Sequence, residues 1–126
     1  MMRQNISKRE IECKCGCGLS NISPAVLDVV QQLRNRYGKP VIINSACRCM
    51  KHNKEVGGKQ NSKHLCSKHR ACRAIDFKIA DVPLETIYNY LEKKYPFSLG
   101  IGIYNTFIHV DDRQEKAFRW DNRGVK

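Results

Sequence analysis

The sequence predicts an α+β domain, a small antiparallel sheet flanked by helices. Two stretches repeat apolar residues at helical spacing, several short ones alternate apolar with polar residues, and 126 residues is the size of one ordinary domain. Residues 1–126 are therefore read as a single unit. With 41% hydrophobic residues and only eight glycines and four prolines, the chain can bury a core and lacks the composition of a disordered or collagen-like polymer. No apolar run approaches the roughly 20 residues that a bilayer span needs. The polar start Met1–Glu10 has no apolar stretch of the secretory kind. The expectation is synthesis in the cytoplasm without a signal peptide.

The first helix follows Ser23-Pro24, an N-cap and first-turn pair, and runs to about Gly38, with Val26, Val29, Val30, Leu33 and Tyr37 along one face. Pro40 to Asn44 reads as a short strand. Ser45 to Arg73 is polar, glycine-bearing and basic, which predicts a long functional loop with at most a short helix. From Ala74 to Ala80 the residues alternate: Ile75, Phe77 and Ile79 share one face, Ala74, Asp76 and Lys78 the other. A second helix is predicted from Val82-Pro83 to Tyr95, carried by Leu84, Ile87, Tyr88 and Leu91 and closed by Pro96. Two strands follow. In the first, Leu99, Ile101 and Ile103 alternate with Gly100, Gly102 and Tyr104. In the second, Ile108 and Val110 alternate with Phe107, His109 and Asp111. One sheet face is thus core, and the other carries Asp76, His109 and Asp111 beside cleared glycines. The tail from Arg113 to Lys126 is mixed in charge, with Phe118 and Trp120 expected to pack it back onto the domain.

Two quantities point toward function. The net charge of +11 implies attraction to polyanions, whether nucleic acid, anionic wall polymer or acidic membrane. Between Arg48 and Arg73 eight Lys and Arg face one acid, Glu55, so this loop concentrates the charge. The seven cysteines are an odd number, which argues against a fully paired disulfide framework and brings metal forward. Zinc accepts imidazole nitrogen and carboxylate oxygen, and catalytic sites keep three protein ligands plus an open position. The candidates are Asp76, His109 and one of His64 or His69, with His52 the remaining histidine.

Several stretches resemble the zinc peptidoglycan peptidases of the D-alanyl-D-alanine carboxypeptidase family, with the hedgehog/DD-peptidase fold. They are Ile43-Asn44-Ser45-Ala46-Cys47-Arg48-Cys49, His52-Asn53, Val56-Gly57-Gly58, Asn61-Ser62-Lys63-His64-Leu65, Arg73-Ala74-Ile75-Asp76, Gly100-Ile101-Gly102-Ile103-Tyr104 and Phe107-Ile108-His109-Val110-Asp111. They stand in the family's order over a core of about residues 10–120. The resemblance implies a zinc cleft, with Zn2+ held by a Ser-x-His histidine, an Ala-x-Asp aspartate and a His-x-Asp histidine. It also implies that Arg48 faces the substrate.

The family's His-x-x-Gly-x-Ala-x-Asp spacing is kept by His69 to Asp76, with Cys72 in the glycine's place, whereas His64 keeps the upstream context and lies five residues farther off. Ser62 to Cys66 and Ser67 to Cys72 look like a small duplication. The uninterrupted context favours His64, since a surface loop accepts extra residues between ligands; His69 is then an accessory loop residue. Related dipeptidases place a Glu three positions before the last zinc histidine, where this chain has Thr106. Asp111 is the candidate to orient water or to support His109 from behind. Tyr104 is a candidate hydrogen-bond donor to the reaction intermediate.

Cys13, Cys15 and Cys17, with Cys47 and Cys49, are candidates for a second, structural zinc cluster or for a disulfide between the two regions, and Cys66 with Cys72 for a covalent closure of the loop. The expected function is a monomeric zinc metallopeptidase, D,D- or L,D-type, cleaving bonds to D-amino acids in peptidoglycan stem peptides. Its role would be that of a carboxypeptidase or a phage-type endolysin acting on the wall. The alternatives are a basic, cysteine-rich zinc module binding nucleic acid, and a noncatalytic relative of the peptidase fold.

Overall fold

The computed structural model describes residues 8–58, 62–67, 71–113 and 116–124. In chain order the elements are α1 (Lys8–Ile11), α2 (Pro24–Tyr37), β1 (Val41–Ser45), α3 (Met50–Glu55), β2 (Ala74–Ile79), α4 (Leu84–Lys94), β3 (Gly100–Ile103), β4 (Ile108–Asp111) and β5 (Phe118–Asp121). The strands form one sheet in the order β1-β2-β4-β3-β5. All neighbours are antiparallel except β3 and β5, which run parallel. The expected α+β class is therefore found, with a mixed sheet in place of a purely antiparallel one.

Helix α2 buries Val26, Val29, Val30 and Leu33 and stops at Gly38, whose left-handed backbone (φ 61°) returns its N–H to the carbonyl of Arg34. Ser23 takes the N-cap position without capping; its hydroxyl donates to Asp112 instead. Asp112 also accepts from the Arg73 guanidinium at 2.8 Å, and its backbone N–H reaches the Arg73 carbonyl at 3.0 Å. These contacts pin the start of α2, the entry of β2 and the exit of β4 to one another.

The core is formed by α2, α4 and the inward sheet residues Ile75, Phe77, Ile101, Ile103, Ile108 and Val110. Ile87 and Leu91 of α4 contribute its helical half. The opposite sheet face is not open as the alternation of β2 implies: Ala74 is fully buried and Asp76 is buried too, because described residues between Ala46 and Cys72 roof that side, with His64 3.3 Å from Asp76 and the Cys72 thiol against the Ala74 carbonyl. Among the described residues of that loop, α3 is the one short helix, as expected. Leu99 has a left-handed backbone (φ 69°), which sets the start of β3 at Gly100 rather than Leu99.

Of the tail, Phe118–Asp121 packs back as the edge strand β5, with Trp120 against the sheet while Phe118, expected to pack with it, is 55% exposed. Arg119 explains its docking: the guanidinium donates to the carbonyls of Tyr95, Ser98 and Leu99, which lie where α4 ends and before β3 begins. Trp120 takes the place beside Gly102, its register partner.

Candidate metal centre and cleft

Register brings the chemistry together. Asp76 of β2 faces His109 of β4, His109 faces Gly102 of β3, and Gly102 faces Trp120 of β5. One row across four strands thus reads carboxylate, imidazole, gap, indole. The gap is required, since a Cβ on Gly102 would lie 2.3 Å from the Trp120 ring. Gly100 clears the next row: a Cβ there would lie within 2.7 Å of the Asp111 carboxylate and at 2.5 Å from Arg113.

His64 enters from the roof. Its Nδ1 donates to the Ala46 carbonyl at 2.8 Å, and a carbonyl can only accept. In the neutral ring the lone pair therefore sits on Nε2, which is buried, lies 3.3 Å from Asp76 Oδ2 and has no hydrogen-bond partner among the described residues. A lone pair set against a carboxylate oxygen is repulsive unless a proton on Nε2 or a metal cation lies between them. His109 Nδ1 lies 2.8 Å from Asp76 Oδ1, and its Nε2 lies 2.9 Å from Asp111 Oδ2. His64, Asp76 and His109 each offer a ligand atom within 4.8 Å of the others, a set suited to a divalent metal.

Electrostatics match this arrangement. Burial works against charge on His109, but hydrogen bonds to Asp111 and Asp76 outweigh it and raise the imidazole above its ordinary value. Burial would likewise raise Asp76, yet the hydrogen bond to His109 and the adjacent His64 hold its carboxyl down at about 2. Asp111 is 1% exposed, and Arg113 grips it with Nε and Nη2, both at 2.8 Å. Against the cost of burial, Arg113 and His109 keep Asp111 well below the usual carboxylate range. Both Asp111 oxygens are engaged, so this side chain supports the His109 ring, and of the two roles expected for it the water-orienting one finds no free oxygen.

The three metal-capable residues floor a cleft of about 400 Å3 whose rim includes Arg48, Lys63, Tyr104 and Trp120. Arg48 is held by Ser45 Oγ at 3.3 Å and Asn53 Oδ1 at 3.2 Å. Gly58 leaves room for that pairing, since its Cβ would fall 2.1 Å from Asn53 Oδ1. Tyr104 stacks on Phe107 at 4.4 Å, and its oxygen accepts the Trp120 indole N–H at 2.9 Å, which leaves its own proton to donate. His69 lies outside the described residues.

A family model described as Peptidase M15 matches residues 1–111. The chain belongs to the peptidase M15 family. No curated protein and no solved structure matched it. M15 peptidases are typically zinc-dependent and act on peptidoglycan, and the five-stranded α+β architecture agrees with their hedgehog/DD-peptidase fold. The match spans Cys13 to Cys17 and Cys47 to Cys49, the segments on which the nucleic-acid alternative rests. In this M15 chain, the cleft residues that sequence reasoning did not assign to the site include Arg113 and Trp120. Arg113 was within reach, because it continues the period of two from His109 and Asp111. Trp120 was not, because a four-residue edge strand inside a mixed-charge tail gives too short a pattern.

Proposed function

We propose that this M15 member is a zinc-dependent peptidase that cleaves bonds involving D-amino acids in peptidoglycan stem peptides. His64, Asp76 and His109 hold the zinc, and the observation that carries this reading is the buried, tautomer-fixed Nε2 of His64 facing the Asp76 carboxylate. When bound, zinc polarises the scissile carbonyl and makes water nucleophilic near neutral pH. Arg48, braced by Ser45 and Asn53, takes the peptide carboxylate in a bidentate grip. Tyr104 donates its phenolic proton to the oxygen on which charge develops. Asp111 is a positioning residue that fixes the His109 ring through Nε2, and Arg113 keeps it ionised.

A second reading, a noncatalytic relative that only binds the stem peptide, is favoured by one observation: Thr106 occupies the place where related dipeptidases carry a Glu. Digestion of purified muropeptides by the zinc-loaded protein, followed by mass spectrometry, separates the two. The peptidase reading expects shortened stem peptides, abolished by His109→Ala and by a chelator. Intact peptides that still bind the cleft would support the noncatalytic reading, and full activity in His109→Ala would end the zinc hypothesis.

A further inference from the structure

Away from the cleft, four sulfurs converge. Cys13, Cys15, Cys17 and Cys49 place their Sγ atoms within 4.8 Å of one another, with Cys13 to Cys15 at 3.4 Å and Cys15 to Cys49 at 3.6 Å. A tetrahedral zinc with Zn–S bonds of about 2.3 Å requires sulfurs about 3.8 Å apart. These separations are close to that edge and far beyond the roughly 2.05 Å of a disulfide. We propose that Cys13, Cys15, Cys17 and Cys49 form a structural tetrathiolate zinc site.

The local backbone is shaped for it. Gly16 and Gly18 adopt left-handed conformations (φ 86° and 84°), and the Cys13 N–H returns to the Leu19 carbonyl at 2.8 Å, so residues 13–19 curl into a compact loop. Two backbone N–H groups point at sulfur rather than oxygen: Cys49 donates to Cys13 Sγ and His52 to Cys49 Sγ, both at 3.3 Å. Such donors stabilise the negative charge of metal-bound thiolates. A four-thiolate set selects a soft tetrahedral ion over magnesium or calcium.

Cys47, grouped with these residues on sequence grounds, takes no part. It is 1% exposed, and its Sγ lies 3.5 Å from that of Cys72 on the core side. Cys66 is buried near the same place, and among the described residues no cysteine is in a disulfide.

The site has a consequence that rests on the peptidase reading, although the metal site itself does not. Residues 47–49 are stitched in two directions. The Cys47 N–H binds the Ile11 carbonyl and the Cys49 N–H binds Cys13 Sγ, whereas Arg48 exchanges backbone bonds with His64 and Cys66 at 2.9 and 2.8 Å. A zinc joining the 13–17 loop to Cys49 therefore holds the segment that presents Arg48 and backs His64. The thiolates do not touch substrate; they position residues that do.

The test uses the full chain carrying His64→Ala and His109→Ala, purified under reductant and loaded with Co2+. The expected spectrum shows a thiolate-to-cobalt charge-transfer band with tetrahedral visible bands, and native mass spectrometry after zinc loading shows one zinc per chain. Cys15→Ser and Cys17→Ser in the same background, both at exposed positions, should each weaken the band by about the share of one thiolate in four and bind zinc at least tenfold more weakly. Absence of the band in the reduced double-histidine protein, with all four thiols reacting freely, would overturn the site. In the unsubstituted protein two zincs are expected. One zinc that survives the histidine substitutions would leave the thiolate site standing and sink the cleft reading, and one zinc lost with them would do the reverse.

Discussion

A single backbone carbonyl determines what His64 can do. By accepting the Nδ1 proton, Ala46 leaves Nε2 as the lone-pair atom inside the cleft, and Asp111 does the corresponding work for His109 from the other side. Asp111→Asn keeps the shape but removes the charge that Arg113 grips and His109 leans on. It is expected to weaken zinc binding in the cleft about 10- to 100-fold, measured by competition with a chromophoric chelator, with a smaller change in the folding midpoint. Protonation gives a second prediction for the metal-free protein. His109 is raised in the folded state, so its contribution to stability is fully present below the ordinary imidazole value of 6.5 and is lost as pH rises through the folded value. Asp76 is lowered, so its contribution is present above 3.8 and is lost as pH falls through about 2. Denaturant midpoints in chelator should therefore fall on both sides of a plateau lying between 3.8 and 6.5. Zinc should reverse the alkaline limb, because metal displaces the proton on His109 and its affinity rises with pH.

At the level of elements, the paired glycines of β3 decide the shape of the cleft. Gly102→Ala would drive a methyl into the ring of Trp120, a rigid group that cannot yield by rotating a flexible end. A destabilisation of roughly 1–3 kcal/mol is expected. The emission of Trp120, the only tryptophan in the chain, should change as the indole leaves Tyr104. Urea denaturation followed by fluorescence checks both. The alternation of β3 and β4 made this face legible in advance, because period two is a local property of extended chain, and it placed His109 and Asp111 on one side. Helix periodicity placed α2 and α4 equally well. What stayed hidden depends on contacts distant in sequence: β5 docks through Arg119 onto three carbonyls some 20 residues earlier, and the burial of Asp76 comes from the roof. Cys47 and Cys49 looked equivalent, yet the chain turns into α3 at Cys49, whose sulfur becomes a helix cap and faces the amino-terminal loop while Cys47 points to the core.

Over the whole molecule, the charge of +11 is densest in sequence from Arg48 to Arg73, where eight basic residues stand against one acid, and Arg48 and Lys63 of that segment line the cleft. Under the proposed function this field draws in anionic stem peptides and wall polymers, an attraction that salt screens over about 8–10 Å at physiological ionic strength. Binding to intact wall sacculi should weaken severalfold as salt is raised from low to physiological levels, while kcat on a short soluble muropeptide changes little; a co-sedimentation series read beside the peptide assay tests this. Arg48 links these features, since it lines the cleft with His64, Asp76 and His109 and lies next in sequence to Cys49 of the proposed thiolate site. The central claim is that zinc held by His64, Asp76 and His109 cuts the stem peptide, and it is tested most directly by comparing zinc-dependent muropeptide hydrolysis in His64→Ala and His69→Ala. The account predicts that His64→Ala loses measurable turnover and that His69→Ala keeps it; loss in His69→Ala with activity preserved in His64→Ala would contradict it.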